Sequence, residues 1–244
     1  MLKSQKSTLL LLILPLLAFS LNAQGLLQDY TLQVHTGATI AGDTKVKGTN
    51  ISADVGNGYV IGIGMGRRVN DNFRLQLEWT YRNMDVDNLV DPSTQWLGSN
   101  LALPPGAPSG SGFTGFSSIR DNVNNFEADL SYSSVILNAF YDREINDKFS
   151  VFGGLGLGFS VVEASFYGEV KPGVAAISGI SPRLILPGDQ QGVAFTWQLA
   201  LGVEYAITKD FNIVATYKYF NPGSVDDLKD LDVSSFEVGV SYLF

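Results

Sequence analysis

The 244-residue chain contains no cysteine and a single histidine, and only 16% of its residues are charged. The absence of cysteine excludes disulfide bonds and thiolate metal sites. Acidic residues outnumber basic ones by 24 to 16, so the composition does not indicate the basic surface that nucleic-acid binding needs. Beyond residue 23 no uniformly apolar run reaches the ~20 residues that a membrane-spanning helix requires.

The N-terminus has the three parts of a secretory signal. Lys3 and Lys6 precede an apolar run from Leu9 to Leu21, and Ala23 supplies a small residue after it. The run is too short to cross a bilayer as a helix. We therefore predict a signal peptide over residues 1–23, cleaved near Ala23, and a single exported domain over residues 24–244.

The segment 192–220 shows the clearest periodicity in the chain. Every second residue of its first half is apolar or aromatic, whereas the intervening residues are small or polar. A period of two predicts a β-strand with two different faces. Thr208, Lys209 and Asp210 form a turn signal, and a second alternating strand follows. The apolar set of the first strand is Phe195, Trp197, Leu199, Leu201, Val203 and Tyr205.

The same reading along the chain predicts eight strands. They cover approximately residues 28–38, 58–69, 72–84, 126–143, 148–162, 192–207, 211–220 and 233–244. Short connections near residues 70, 146 and 208 alternate with long ones at about 39–57, 85–125, 163–191 and 221–232. This alternation is typical of outer-membrane barrels, which have short periplasmic turns and long extracellular loops. We predict an all-β, eight-stranded antiparallel transmembrane β-barrel.

Periodicity alone leaves the direction of the apolar face open, because a soluble ligand-holding barrel also has eight strands. The face opposite the apolar one indicates the direction. It is rich in glycine and serine and carries few charges, as at Gly154, Gly156 and Gly158. Small residues suit a narrow lumen better than a water-facing surface. The apolar face also runs from aromatic to aliphatic to aromatic residues, which is typical of a lipid-facing band with interfacial girdles.

The few strand charges are predicted to face the lumen and to form a network of ion pairs that blocks free flow. The alternative is that they face water at the strand ends. In a pore they would instead set selectivity. The predicted luminal charge network is Arg74, Glu78, Arg82, Glu204, Lys218 and Glu237, with Asn138 and Asp142 as further candidates.

The segments at residues 135–158 and 192–220 and the terminal FEVGVSYLF resemble the small outer-membrane β-barrel family. That family includes opacity-type proteins, OmpA-like barrels and rickettsial-type surface antigens. The resemblance implies location in a Gram-negative outer membrane, with lipids and lipopolysaccharide around the barrel. It also implies recognition by the barrel-assembly machinery, with Phe236, Tyr242 and Phe244 as the assembly signal.

Catalytic and metal-binding signals are weak. His35 is predicted to point inward, and no catalytic motif surrounds it. The acidic runs at residues 85–91 and 226–232 lack the glycine and terminal glutamate of a calcium loop. Residues 62–66 have a glycine-rich pattern without the following helix of a nucleotide loop. We predict no enzyme activity, cofactor or metal site.

The long loops contain apolar residues that indicate either a contact surface for a protein partner or packing above the membrane. The leading hypothesis is a non-enzymatic surface protein whose barrel anchors its loops for adhesion, partner contact or envelope integrity. A narrow porin or small-molecule channel is the alternative. The loop contact candidates are Trp96, Phe113, Phe116, Ile180 and Leu184.

Overall fold

The computed structural model describes residues 30–42, 44–46, 52–90, 123–170, 190–223, 228–229 and 231–244. These residues form ten β-strands. The strands are β1 (Tyr30–Ala41), β2 (Thr44–Val46), β3 (Ser52–Arg68), β4 (Phe73–Val90), β5 (Val123–Asn146), β6 (Phe149–Val170), β7 (Gln190–Ala206), β8 (Phe211–Asn221), β9 (Leu228–Lys229) and β10 (Val233–Leu243). Within this part of the chain no helix has the length and apolar character needed to cross a membrane.

Eight of these strands close into an antiparallel barrel, as the sequence predicted. Each long strand pairs with its neighbour in the chain from β3 to β8, β10 follows β8, and β1 closes the barrel between β10 and β3. The short strands β2 and β9 pair with each other beyond the long ones, at Lys45 and Lys229. Closure leaves none of the long strands with an unpaired edge, which a bilayer requires.

One end of the barrel, here called the turn end, carries three short turns. The turns repeat one device, in which a polar side chain at the second position accepts a backbone N–H from two or three residues later. Asn70 accepts from Asn72 and Phe73, Asn146 from Lys148, and Thr208 from Asp210 and Phe211. Such side-chain turns mimic a backbone turn, so the three short connections share one local geometry. The two described ends of the chain meet here as well, because the Phe244 N–H donates to the Tyr30 carbonyl.

Several strands are longer at the opposite end than the sequence predicted. β3 begins at Ser52, β4 continues to Val90, and β6 continues to Val170, so parts of three predicted loops are strand. The inward residues remain apolar there, as at Val86 and Ala164, while the outward residues become polar. The sheet therefore extends beyond the apolar band, and a search for apolar outward residues misses this extension.

The apolar face points outward. On β7 Leu201 is 64% exposed, whereas the neighbouring strand position facing inward, Ala200, is 2% exposed. Aromatic pairs lie toward both limits of the outward band, with Phe73 and Tyr141 near the turn end and Phe159 and Phe195 near the other. Aliphatic residues occupy the belt between them, as expected for a surface that contacts acyl chains.

Candidate functional site

The centre of the barrel holds a cation between two carboxylates. The Lys218 ammonium on β8 lies 2.6 Å from Oε1 of Glu78 on β4 and 2.9 Å from Oε2 of Glu237 on β10. All three side chains are almost completely excluded from solvent. Period-two strands place them, since inward residues from separate strands converge on the barrel axis. A charged pair in this environment persists only with close partners.

Two further groups complete this layer. The Arg82 guanidinium lies 3.6 Å from the second oxygen of Glu237, donates to the Thr80 hydroxyl at 2.6 Å and lies 4.1 Å from the centre of the Phe220 ring. His35 on β1 brings Nε2 within 3.6 Å of Glu78 and 3.3 Å of Glu237. We call Glu78, Arg82, Lys218, Glu237 and His35 the central layer.

Amide side chains and glycines support the central layer. Asn138 donates to Glu78 at 2.8 Å, and Gln198 donates to the Asn138 carbonyl oxygen at 2.7 Å. Gly62 faces His35, and Gly156 faces Asn138 and Gln198, so closely that a Cβ at either glycine would overlap those side chains. The inward glycines of β3 and β6 therefore provide the space that the long polar side chains occupy.

The formal charges of the central layer cancel, because Arg82 and Lys218 balance Glu78 and Glu237. Ligand atoms of His35, Glu78 and Glu237 lie within 4.8 Å of one another, which is close enough to hold a metal ion. The Lys218 ammonium, however, already contacts both carboxylates. A divalent cation would have to displace it, and the two positive charges would repel each other. The arrangement is best explained as an internal ion network.

A second ionic pair lies nearer the turn end. Arg74 donates from Nε and Nη2 to the two carboxylate oxygens of Asp142, at 3.2 and 3.1 Å. Its guanidinium lies 5.0 Å from the centre of the Phe140 ring and 5.3 Å from that of Phe152. The two rings meet edge to face and pack with Ala200 and Val214. This apolar layer separates the central layer from the turn end.

Apolar side chains also fill the lumen on the other side of the central layer. Tyr132 and Phe220 are in edge-to-face contact with ring centres 5.9 Å apart. The surrounding side chains are almost fully buried. They include Val60, Met84, Leu130, Val162, Leu231 and Val233. Buried polar side chains accompany both apolar layers, since Gln76 donates to Gln33 on the turn side and Ser160 bonds Ser134 and Thr196 on the other. The ionic layer thus lies between two layers in which apolar rings pack beside small hydrogen-bonded polar groups.

The structure brings together four of the six predicted luminal charges: Glu78, Arg82, Lys218 and Glu237. Arg74 pairs separately with Asp142. Glu204 lies near the turn end and accepts a hydrogen bond from Asn212. The sequence reading placed His35 inward without connecting it to the carboxylates, and it did not identify Phe140 and Phe220 as luminal. Phe152, which interrupts a run of small inward residues, was the available signal for an apolar layer.

The other predicted site residues fall in different places. Phe236 and Tyr242 lie on the outward face of β10, and the rings of Tyr242 and Phe244 meet edge to face. Asp85 and Asp87 lie exposed on strand β4 and not in a calcium loop. The signal-peptide residues 1–23 and the loop contact candidates lie outside the described residues. Those candidates are Trp96, Phe113, Phe116, Ile180 and Leu184.

Comparison with known proteins gives the same fold. The model of the family described as "Outer membrane protein beta-barrel domain" matches residues 11–244. A search of curated proteins found no match.

Among solved structures, the crystal structure of Neisserial surface protein A (NspA) matches 89% of this chain and 98% of its own, with 16% identity and a TM-score of 0.51. Ail of Yersinia pestis matches 89% of this chain and 100% of its own, with 14% identity and a TM-score of 0.44. The N-terminal barrel of Pseudomonas aeruginosa OprF matches 88% and 98%, with 10% identity and a TM-score of 0.39. At these identities the likeness to NspA shows the fold alone.

Proposed function

The chain belongs to the outer membrane protein β-barrel domain family and resides in the bacterial outer membrane, and we propose that it is a non-enzymatic anchor that holds surface-exposed segments for contact. In this family of barrels the turn end faces the periplasm. The exported form is proposed to be residues 24–244, after removal of the signal peptide 1–23. Its immediate surroundings are outer-membrane lipids, including lipopolysaccharide, and we propose that it is inserted by the barrel-assembly machinery.

The filled lumen is the observation that carries this proposal. Conduction needs a wetted path, but the buried rings of Phe140 and Phe152 occupy the lumen below the central layer, and those of Phe220 and Tyr132 occupy it above. In the central layer the polar atoms of Lys218 and Glu78 bind each other at 2.6 Å. Buried side chains that contact one another thus occupy the lumen at, above and below the central layer, which suits a rigid anchor.

We propose that contact is made by the two long segments at the end opposite the turns. They are residues 91–122 between β4 and β5 and residues 171–189 between β6 and β7. The first contains apolar and aromatic residues, and the second contains aliphatic residues such as Ile180 and Leu184. We propose that Trp96, Phe113 and Phe116 in the first, with Ile180 and Leu184 in the second, contact a protein partner. The outward face of β4 just below, at Asp85 and Asp87, is acidic and exposed.

Loop removal tests the surface role. A variant in which residues 93–120 are replaced by a short Gly-Ser linker keeps the whole described barrel, so its unheated gel mobility should match that of the full protein. Adherence of expressing bacteria to epithelial monolayers, or their clumping with one another, should fall severalfold. A second test variant replaces Trp96, Phe113 and Phe116 by serine in the full-length loop and should show the same fall. Wild-type adherence and clumping in both variants would overturn the contact role.

A narrow pore is the second candidate, favoured by the polar central layer alone. Planar-bilayer recording separates the two. We expect no steady channels from the folded protein, because two apolar layers flank the ions. Steady unit conductance that changes in Glu78→Gln, while staying unchanged in the exposed control Glu163→Gln, would establish the pore and remove the closed-anchor proposal.

A further inference from the structure

A furrow crosses the outer wall of the barrel from β5 to β10, with a volume of about 680 Å³. Its floor is made by Gly153 on β6 and Ala215 on β8, where the outward face has almost no side chain. Neighbouring outward residues are larger, so they form walls. The wall residues are Val151, Leu201, Val203, Tyr217, Phe236 and Val238. The lining is almost entirely apolar.

The register shows how the furrow runs. Gly153 pairs with Tyr141 on one side and Leu201 on the other, and Leu201 pairs with Tyr217, which pairs with Phe236. Four spacings between five strands give a length of roughly 19 Å at ~4.8 Å each. Because strands in such a barrel are tilted, the row slants. It begins beside the turn-end girdle at Tyr141 and rises into the apolar band as far as Phe236.

One cation lies at the periplasmic mouth of the furrow. Arg143 is exposed on β5, two residues beyond Tyr141 toward the turn, and it lines the furrow. The neighbouring Glu144 is paired with Arg68, and no ion pair is found for Arg143 among the described residues. A guanidinium at the interface offers the forked donors that suit a phosphate. An apolar channel rising from it offers a path for an acyl chain.

We propose that the furrow binds one phospholipid of the periplasmic leaflet, with its phosphate on Arg143 and an acyl chain lying over Gly153 and Ala215. The polarity fixes the leaflet, because the cation lies at the turn end and the apolar part extends into the membrane. The volume lies within the ~300–1,000 Å³ of small-molecule clefts. Without a bound lipid, the side chains that line the furrow would lack van der Waals partners on that side, and the lipid supplies those contacts.

The test is native mass spectrometry of the folded protein in dodecyl maltoside, titrated with palmitoyl-oleoyl phosphatidylglycerol. We expect one lipid to be retained per barrel. Arg143→Gln should weaken binding roughly tenfold or more, as expected for loss of a charge-assisted hydrogen bond. Gly153→Leu should abolish retention because its side chain occupies the floor. A Cβ at Gly153 would meet the flexible end of Leu201 at 3.0 Å and the Ala200 carbonyl oxygen at an ordinary contact distance of 3.8 Å, so the barrel tolerates the change.

Matched controls separate this site from general lipid adhesion. Ala139→Leu places the same leucine side chain on the outward face of β5 outside the furrow, and Lys209→Gln removes a positive charge from another periplasmic turn. Both should bind as the wild type does. Equal retention by all five proteins would overturn the proposal. So would a wild-type dimer that becomes monomeric in Gly153→Leu, since a second copy would then be the occupant.

Discussion

Neighbouring residues on one strand of this barrel meet opposite surroundings. On β4 Leu77 is 55% exposed on the outer wall, while Glu78 beside it is 1% exposed in the lumen. The outward residue needs no particular partner, because lipid is its solvent. The inward carboxylate depends on Lys218, which is 140 positions away in the sequence. The outer wall is therefore specified by composition, whereas the lumen is specified by individual long-range contacts.

This difference determines how each face responds to substitution. Inside the barrel the cost of a change depends on which partner is left without its charge. On the outer wall the cost depends on depth in the membrane and little on the neighbouring side chains. Three substitutions, taken from the largest expected effect to the smallest, measure that contrast.

Lys218→Met should have the largest effect. It leaves Glu78 and Glu237 buried without the ammonium that contacts both, and removal of one partner from a buried ion pair costs about 3–5 kcal/mol. The free energy of unfolding in detergent micelles, followed by tryptophan fluorescence against guanidinium, measures the loss.

The exposed Lys209→Gln, in a turn, is the control for charge removal and should change stability by less than ~0.5 kcal/mol. The double variant Lys218→Met with Glu78→Gln should recover part of the loss, since the two sites are in contact. Equal stability of Lys218→Met and the wild type would contradict the central layer as a structural element.

Leu199→Arg should have an intermediate effect. Leu199 lies outward on β7 between Leu201 and Trp197, in the aliphatic belt, where an arginine costs about 2–4 kcal/mol near the bilayer midplane. Val193→Arg on the same strand lies beyond the girdle residue Phe195 and should cost about 0–1 kcal/mol. The unfolding free energies of the two variants in lipid vesicles test this depth dependence. Equal losses would show that the outer wall is not graded by depth.

The fold was predictable because its signals are local. Period-two alternation identifies the strands, and the short polar connections at Asn70, Asn146 and Thr208 identify the turns. Face direction also followed from composition. The predicted lengths of several strands were too short at the end opposite the turns. The outward residues there are polar, as at Asp85 and Glu163, so the alternation no longer resembles that of a lipid-facing strand.

The lumen was predictable only as a list of inward charges. Which of them meet depends on strand stagger around the barrel, and stagger is set by closure and not by any single strand. For this reason Glu204 was grouped with Glu237, although Glu204 bonds Asn212 near the turn. The sequence predicts an inward His35 but no partner for it, because nothing near His35 in the sequence indicates that Glu78 and Glu237 lie within 3.6 Å.

Arg74→Gln should have the smallest effect of the three. It removes both donors to Asp142 and the contact with the Phe140 and Phe152 rings, and hydrogen bonds to charged groups are worth ~1.5–3 kcal/mol. The loss should stay below that of Lys218→Met because only one carboxylate is left behind and it lies near the periplasmic opening. Guanidinium unfolding of Arg74→Gln, alone and with Asp142→Asn, measures it. A loss larger than that of Lys218→Met would mean that the Arg74–Asp142 pair with its two rings, and not the central layer, dominates the stability of the lumen.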